Sequence, residues 1–265
     1  IDGNNILPGW NHHNHFDSQN CVFYNEEDEF YYIYLRDNQH KPVERRYVQY
    51  TRTKDFIIFD IFKNIIIANK DCSCMHFYTF NAFKYNKYFL AIPSFSDRTS
   101  INKRSNMLLF SENGHEWNVL SENLFTLKNE LMFVFNYTYS NDNKELYFYI
   151  HDKVETKENC IECYSINKDR ISKIICEDDG FIQTKCINLI NNNITINYEC
   201  RNENGWIQVQ LLYTNNNIFL ESLKYKGNEL DKKIEWNKNI DFQNNQYYIK
   251  FIMNDCNLYS FSYNV

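Results

Sequence analysis

The sequence predicts an all-β chain: a partial β-propeller of about three four-stranded blades over residues 1–180, followed by a C-terminal β-sandwich over residues 181–265. Aromatic residues make up 17% of the chain and come almost wholly from Tyr and Phe, a usage that favours strands. No sustained helical period occurs. The stretch Asn106 to Leu120 supplies the grammar: an apolar strand (Met107 to Phe110), a polar turn through Asn113-Gly114, and a short strand carrying Trp117. Asn-Gly tolerates positive φ, so a tight reversal is expected there. Arg45 to Phe59 repeats the pattern around Thr53-Lys54-Asp55, and such repeated units are the blades of propellers.

The first blade is expected from strands Asp17–Tyr24, Phe30–Arg36, Glu44–Arg52 and Asp55–Asp60, joined by polar turns. The second takes His76–Tyr85, Tyr88–Phe95, Asn106–Phe110 and Trp117–Leu120, and the third Leu131–Tyr139, Glu145–Asp152, Cys160–Asn167 and Ile171–Cys176. Successive sets begin roughly 55 to 60 residues apart, which suits four strands with loops. After Asp178-Asp179-Gly180 the texture changes to shorter alternating strands: Lys185–Leu189, Ile194–Cys200, Trp206–Tyr213, Phe219–Tyr225, Lys233–Trp236, Tyr247–Asn254 and Leu258–Tyr263. This spacing predicts a sandwich and places a boundary near residue 180.

A net charge of −6 without any basic run argues against nucleic acid or an anionic membrane as partner. The most apolar run, Phe56 to Ala68, is interrupted by Asp60, Lys63 and Asn64, so no membrane span is expected. No charged segment followed by an apolar run stands near Ile1, so no signal peptide is visible. Nine scattered cysteines read as free thiols and lean the expectation toward the cytoplasm. Cys72-x-Cys74 and Cys160-x-x-Cys163 have the look of zinc half-sites, but positions three apart on a strand face opposite ways. His12, His13 and His15 lack nearby ligand partners, and no metal or cofactor is expected.

Four stretches resemble a known group. Phe16-Asp17-Ser18-Gln19-Asn20, with Tyr34-Leu35-Arg36 and Glu44-Arg45-Arg46, is similar to an F-D-S-x-N strand with arginine-bearing neighbours. His76 to Ala82 is similar to an E-H-L-Y-T-N-A segment, with Met75 in place of Glu and one extra residue, Phe80, before Asn81. Leu108 to Trp117 is similar to an S-x-D-G-x-x-W hairpin, and Asp179 to Phe181, Asn197-Tyr198, Gly205 to Leu212 and Asp255 to Phe261 to a sandwich tail. In this order they resemble the arabinanase, levansucrase and invertase superfamily of five-bladed propeller glycoside hydrolases, in particular bacterial proteins that carry a C-terminal β-sandwich. Three repeats are visible where the family has five, so the resemblance implies that the missing N-terminal blades belong to the same, longer protein and partner this chain.

The resemblance implies a glycoside hydrolase acting on a carbohydrate through paired carboxylates, one assisting the leaving oxygen and the other acting as nucleophile or activating water. Asp17, at the start of an inner strand, and Asp152 are the candidate catalytic pair, within an incomplete catalytic set. Asn20, Arg36, Arg45, His76, Tyr78 and Asn81 are the candidate substrate-binding residues, and at most one of Arg45 and Arg46 faces a pocket, since neighbours on a strand alternate. The alternative is a non-catalytic carbohydrate-binding or interaction module with a degenerate site. Each residue also has a structural reading: Asp17 as a turn former, His76 as a hydrogen-bonded core histidine, whichever of Arg45 and Arg46 faces away from the pocket as a surface partner of Glu44, and Trp117 as core or hairpin packing.

Overall fold

A computed structural model describes residues 20–39, 45–97, 103–122, 133–152, 157–238 and 245–264. Every regular element among them is a β-strand. The chain divides into two compact units, the first built from residues up to Thr138 with Tyr147–Tyr164, the second from Tyr139–Leu146 and from Ser165 onward. Asp178 to Gly180, where the sequence texture changes, lies within a strand of the second unit.

The first sheet has the order β1 (Cys21–Asn25), β2 (Phe30–Gln39), β3 (Arg45–Thr53), β4 (Lys63–Asn64). Its first turn is held by Asp28, whose carboxylate accepts from the Asn25 amide at 2.8 Å and the Tyr32 hydroxyl at 2.7 Å. The expected strand Asp55–Asp60 does not form. Instead the Asp55 carboxylate accepts the backbone N–H groups of Ile57 and Ile58 at 2.8 and 2.9 Å, and Thr53 Oγ1 accepts that of Phe56 at 3.0 Å. These short side chains offer the backbone an alternative to a sheet ladder, and Phe56 turns to φ 58°. The two isoleucines of FIIF are therefore left outward, Ile57 and Ile58 being 77% and 74% exposed.

The second sheet runs β5 (Ile66–Ile67), β9 (Glu116–Glu122), β8 (Lys103–Ser111), β7 (Tyr88–Asp97), β6 (Met75–Tyr85). The hairpin between β8 and β9 is as the Asn-Gly pair predicts. Gly114 takes φ 74°, and the Ser111 hydroxyl accepts its N–H at 2.8 Å. Trp117, fully buried, belongs to the core, as its structural reading expects.

Strand β6 has two working faces because of a bulge between Phe77 and Thr79. Met75, Phe77, Phe80 and Ala82 all enter one core with Tyr32, Tyr34 and Tyr50 of the first sheet. Strict alternation would put Phe77 and Phe80 on opposite faces; one extra residue returns both to the same side. The residue that lengthens this segment relative to the family motif is absorbed there. On the opposite face, Asn81 donates its side-chain amide to the Phe135 carbonyl, and Phe83 packs on Tyr137 and Phe148, with ring centroids 4.6 and 6.3 Å apart. Phe135, Tyr137 and Phe148 belong to the third sheet, in the order β10 (Phe133–Tyr139), β11 (Glu145–Asp152), β12 (Cys160–Asn167). Three sheets thus stack face to face in chain order, as blades do, all antiparallel save for the short parallel pair of β5 with β9.

Among the described residues the third sheet has three strands rather than four. Of the expected fourth, Ile171–Cys176, only the last three residues are strand, and they open β13 (Ile174–Gln183), which pairs with the last strand of the second unit instead. That unit is one seven-stranded sheet comprising β13, β14 (Ile187–Leu189), β15 (Ile194–Cys200), β16 (Trp206–Leu212), β17 (Ile218–Glu221), β18 (Asn228–Lys233) and β19 (Asn245–Tyr263). The two strands expected at Tyr247–Asn254 and Leu258–Tyr263 are the single 19-residue β19. One edge of β19 pairs with β13 and β14; the other is shared end to end by β16 and β15. Asp255, at φ 42°, sits where β16 gives way to β15 and shifts the alternation. Met253 and Cys256 consequently both face the core, around which the sheet curls with Ile207, Val209, Tyr198 and Leu220.

Candidate functional site

The first two sheets enclose a cleft whose walls include Arg36, Tyr34, Tyr47, Tyr78 and Thr79. Arg36 shares its strand face with Tyr34 and lies opposite Val48 in the ladder, which directs it into the inter-sheet space, where it is 6% exposed. From the same face of β3, Arg46 lays its guanidinium 5.1 Å from the centroid of Tyr78. Arg45, one residue earlier and on the other face, stacks over Tyr47 at 4.2 Å and donates from Nη1 to the Cys72 carbonyl at 3.1 Å. Both arginines therefore rest on aromatic rings in a cation–π arrangement, and Arg45 also helps hold the Asp71 carboxyl below its usual range.

Burial pushes the Tyr34 hydroxyl well above the ordinary phenol range and raises that of Tyr47. It likewise lifts the Cys72 and Cys21 thiols to about 11. The cleft is thus lined by neutral hydroxyls and a buried cation, and no carboxylate is among its described walls. Such a set binds hydroxyl or anionic oxygen. The volume of the cleft is about 10 Å³, about that of a single water.

The other sequence candidates disperse. Asn81 is turned to the third sheet and spends its amide on Phe135. His76 lies between Met75 and Phe77 on β6, so it projects from the face opposite their shared core. Asn20 is exposed immediately before β1. Asp152 is the last residue of β11, while Asp17 lies outside the described residues. Tyr34, Tyr47 and Thr79 were not singled out from sequence. The signal available was the two-residue period that puts Tyr34 on the Arg36 face.

No family model matches the chain, and no curated protein sequence does. Among solved structures, the chain is similar to an N-acetylgalactosamine deacetylase from F. plautii (8% identity, TM-score 0.38, covering 90% of this chain and 50% of that one). It is also similar to a glycoside hydrolase family 43 arabinoxylan arabinofuranohydrolase from Bacillus subtilis (9%, TM-score 0.38, covering 92% and 66%). A third is the endo-arabinase from Bacteroides thetaiotaomicron (12%, TM-score 0.40, covering 85% and 82%). The chain spans half the length of the first and 66% of the second. Likeness at this level carries no inference about chemistry. The class that the chain's own strands define is an all-β protein whose first unit stacks sheets in the manner of a partial propeller.

Proposed function

We propose that this chain is part of a glycoside-hydrolase-like protein that recognises a carbohydrate, with a partial propeller as its first unit. The observation that carries the reading is the succession of three stacked sheets, with β6 packed on both neighbours, under a sequence that resembles propeller glycosidases segment by segment. In this reading Asp17 and Asp152 are the carboxylates of hydrolysis, Arg36 and Tyr78 line the sugar site, and a saccharide meets the cleft at its mouth, beside Tyr78 and Arg46. A longer protein would supply the remaining blades and the rest of the acid set.

A specific observation favours the second reading, a non-catalytic carbohydrate-binding module: the described walls of the cleft offer phenols, a hydroxyl and guanidinium but no carboxylate. The two readings part on one experiment. The chain is incubated with arabinan, fructan, galactan and xylan, and both polysaccharide retention and reducing-end release are measured for wild type and Asp17→Asn. Release that Asp17→Asn abolishes supports the hydrolase, retention without release that survives Asp17→Asn supports the binding module, and neither retention nor release overturns both.

A further inference from the structure

In the second unit three cysteines come from distant parts of the sequence to one row of the sheet. Cys256, on the central strand β19, is the ladder partner of Cys176 on β13 along one edge and of Cys200 on β15 along the other. Partners in an antiparallel ladder project from the same face, and their Cα atoms lie about 4.5 to 5.5 Å apart. That separation falls within the span a disulfide requires. The Cys200 and Cys256 sulfurs are already 3.9 Å apart, whereas Cys176 directs its thiol to the carbonyls of Asp178 at 2.9 Å and Met253 at 3.4 Å. All three are free thiols.

We infer that Cys200 and Cys256 form a redox-active cross-strand dithiol, oxidised to a disulfide by exchange with a low-molecular-weight disulfide such as oxidised glutathione. Cys200, half-buried at the sheet margin, is the point of entry; Cys256 is fully enclosed. The Cys200 thiol loses its proton and attacks one sulfur of the small disulfide, forming a mixed disulfide and releasing one small thiol, which takes up that proton. Cys256 then loses its proton and attacks the Cys200 sulfur, forming the protein disulfide and releasing the second small thiol. Two protein thiols are oxidised and one small disulfide is reduced to two thiols. Burial raises both thiols above their ordinary range, so the exchange is slow near neutral pH. The cross-link would tie β15 to β19 beside Asp255, where the long strand shifts its alternation and changes partners.

The test uses the full chain, equilibrated with oxidised glutathione, acid-quenched, alkylated under denaturing conditions and mapped by mass spectrometry without reduction. The expected result is the peptide containing Cys200 joined to that containing Cys256, the pair two hydrogen atoms lighter than the sum of the two free peptides. Dithiothreitol should reverse it, Cys200→Ser should abolish the link, and Cys176→Ser should leave it. Complete alkylation of Cys200 and Cys256 after oxidation, or a disulfide that pairs Cys256 with Cys176, overturns the inference. Because the wild-type map decides this alone, a variant that folds poorly does not obscure the outcome.

Discussion

Tyr34 and Trp117 meet edge to face across the first two sheets, ring centroids 5.9 Å apart, and both donate hydrogen bonds to the carbonyl of Gly114, at 2.7 and 3.2 Å. One backbone oxygen in a hairpin turn thus receives a partner from each sheet, joining turn geometry to core packing. Trp117→Ala should destabilise the first unit by ~3–5 kcal/mol, because it removes a fully buried indole, while Tyr34→Phe should cost ~1 kcal/mol through the lost hydrogen bond. Urea unfolding followed by circular dichroism checks both, and near-equal effects would contradict the assignment.

Gly114 is constrained twice. Its φ of 74° suits glycine, and a Cβ there would lie 2.8 Å from Tyr32 Cε1 and 2.9 Å from the Tyr34 hydroxyl. Gly114→Ala should lower stability by ~1–3 kcal/mol, the range for strained backbone positions. Thermal melts of this variant beside Gly227→Ala separate the two causes, since Gly227 also has positive φ but no atom within 4 Å of the added group.

The loop of Ile57 and Ile58 should be governed by Asp55. Hydrogen bonds from the Ile58 and Ile57 backbone hold its carboxyl below the usual range. A carboxylate whose folded pKa is depressed contributes stability above its unfolded pKa, and that contribution disappears as pH falls through the folded value. Cleavage of the loop by a protease active at low pH should therefore accelerate as the solution is acidified below the ordinary aspartate pKa, and Asp55→Ala should show the fast rate already at neutral pH. A loop equally resistant in Asp55→Ala would contradict the account.

Asn81 tests the stacking of the second and third sheets. Asn81→Ala leaves the Phe135 carbonyl without that donor and should cost ~1–3 kcal/mol. Hydrogen exchange should show the loss on β10 as well as on β6. Protection lost on β6 alone would indicate that the bond does not couple the sheets.

Much of the strand layout was legible in the sequence because two-residue alternation and polar turns act locally. Glu145–Asp152, Cys160–Asn167 and Ile194–Cys200 have the predicted limits, and the Asn113-Gly114 hairpin follows from turn chemistry. The failures are non-local or depend on side chains competing with the ladder. FIIF has the composition of a strand, yet Thr53 and Asp55 capture its backbone. Ile171–Cys176 alternates like a blade strand, but its partner is β19, about eighty residues onward, and no local pattern announces that pairing. At Asp255-Cys256-Asn257 a polar break reads as a turn, whereas a shift in alternation lets one strand continue. The candidate site was legible in part. Arg36 and Tyr78 do line one cleft, and the same bulge that keeps Phe77 and Phe80 in a single core leaves Asn81 facing the third sheet.

Carbohydrate recognition at the mouth of that cleft is tested most directly by a glycan array probed with the purified chain and with the Arg46→Ala, Tyr78→Ala double variant. The account predicts selective retention of one class of saccharide by the wild type and at least about a tenfold loss in the variant, the equivalent of roughly 1.4 kcal/mol. Retention that the variant keeps in full, with its melting temperature unchanged, would contradict it.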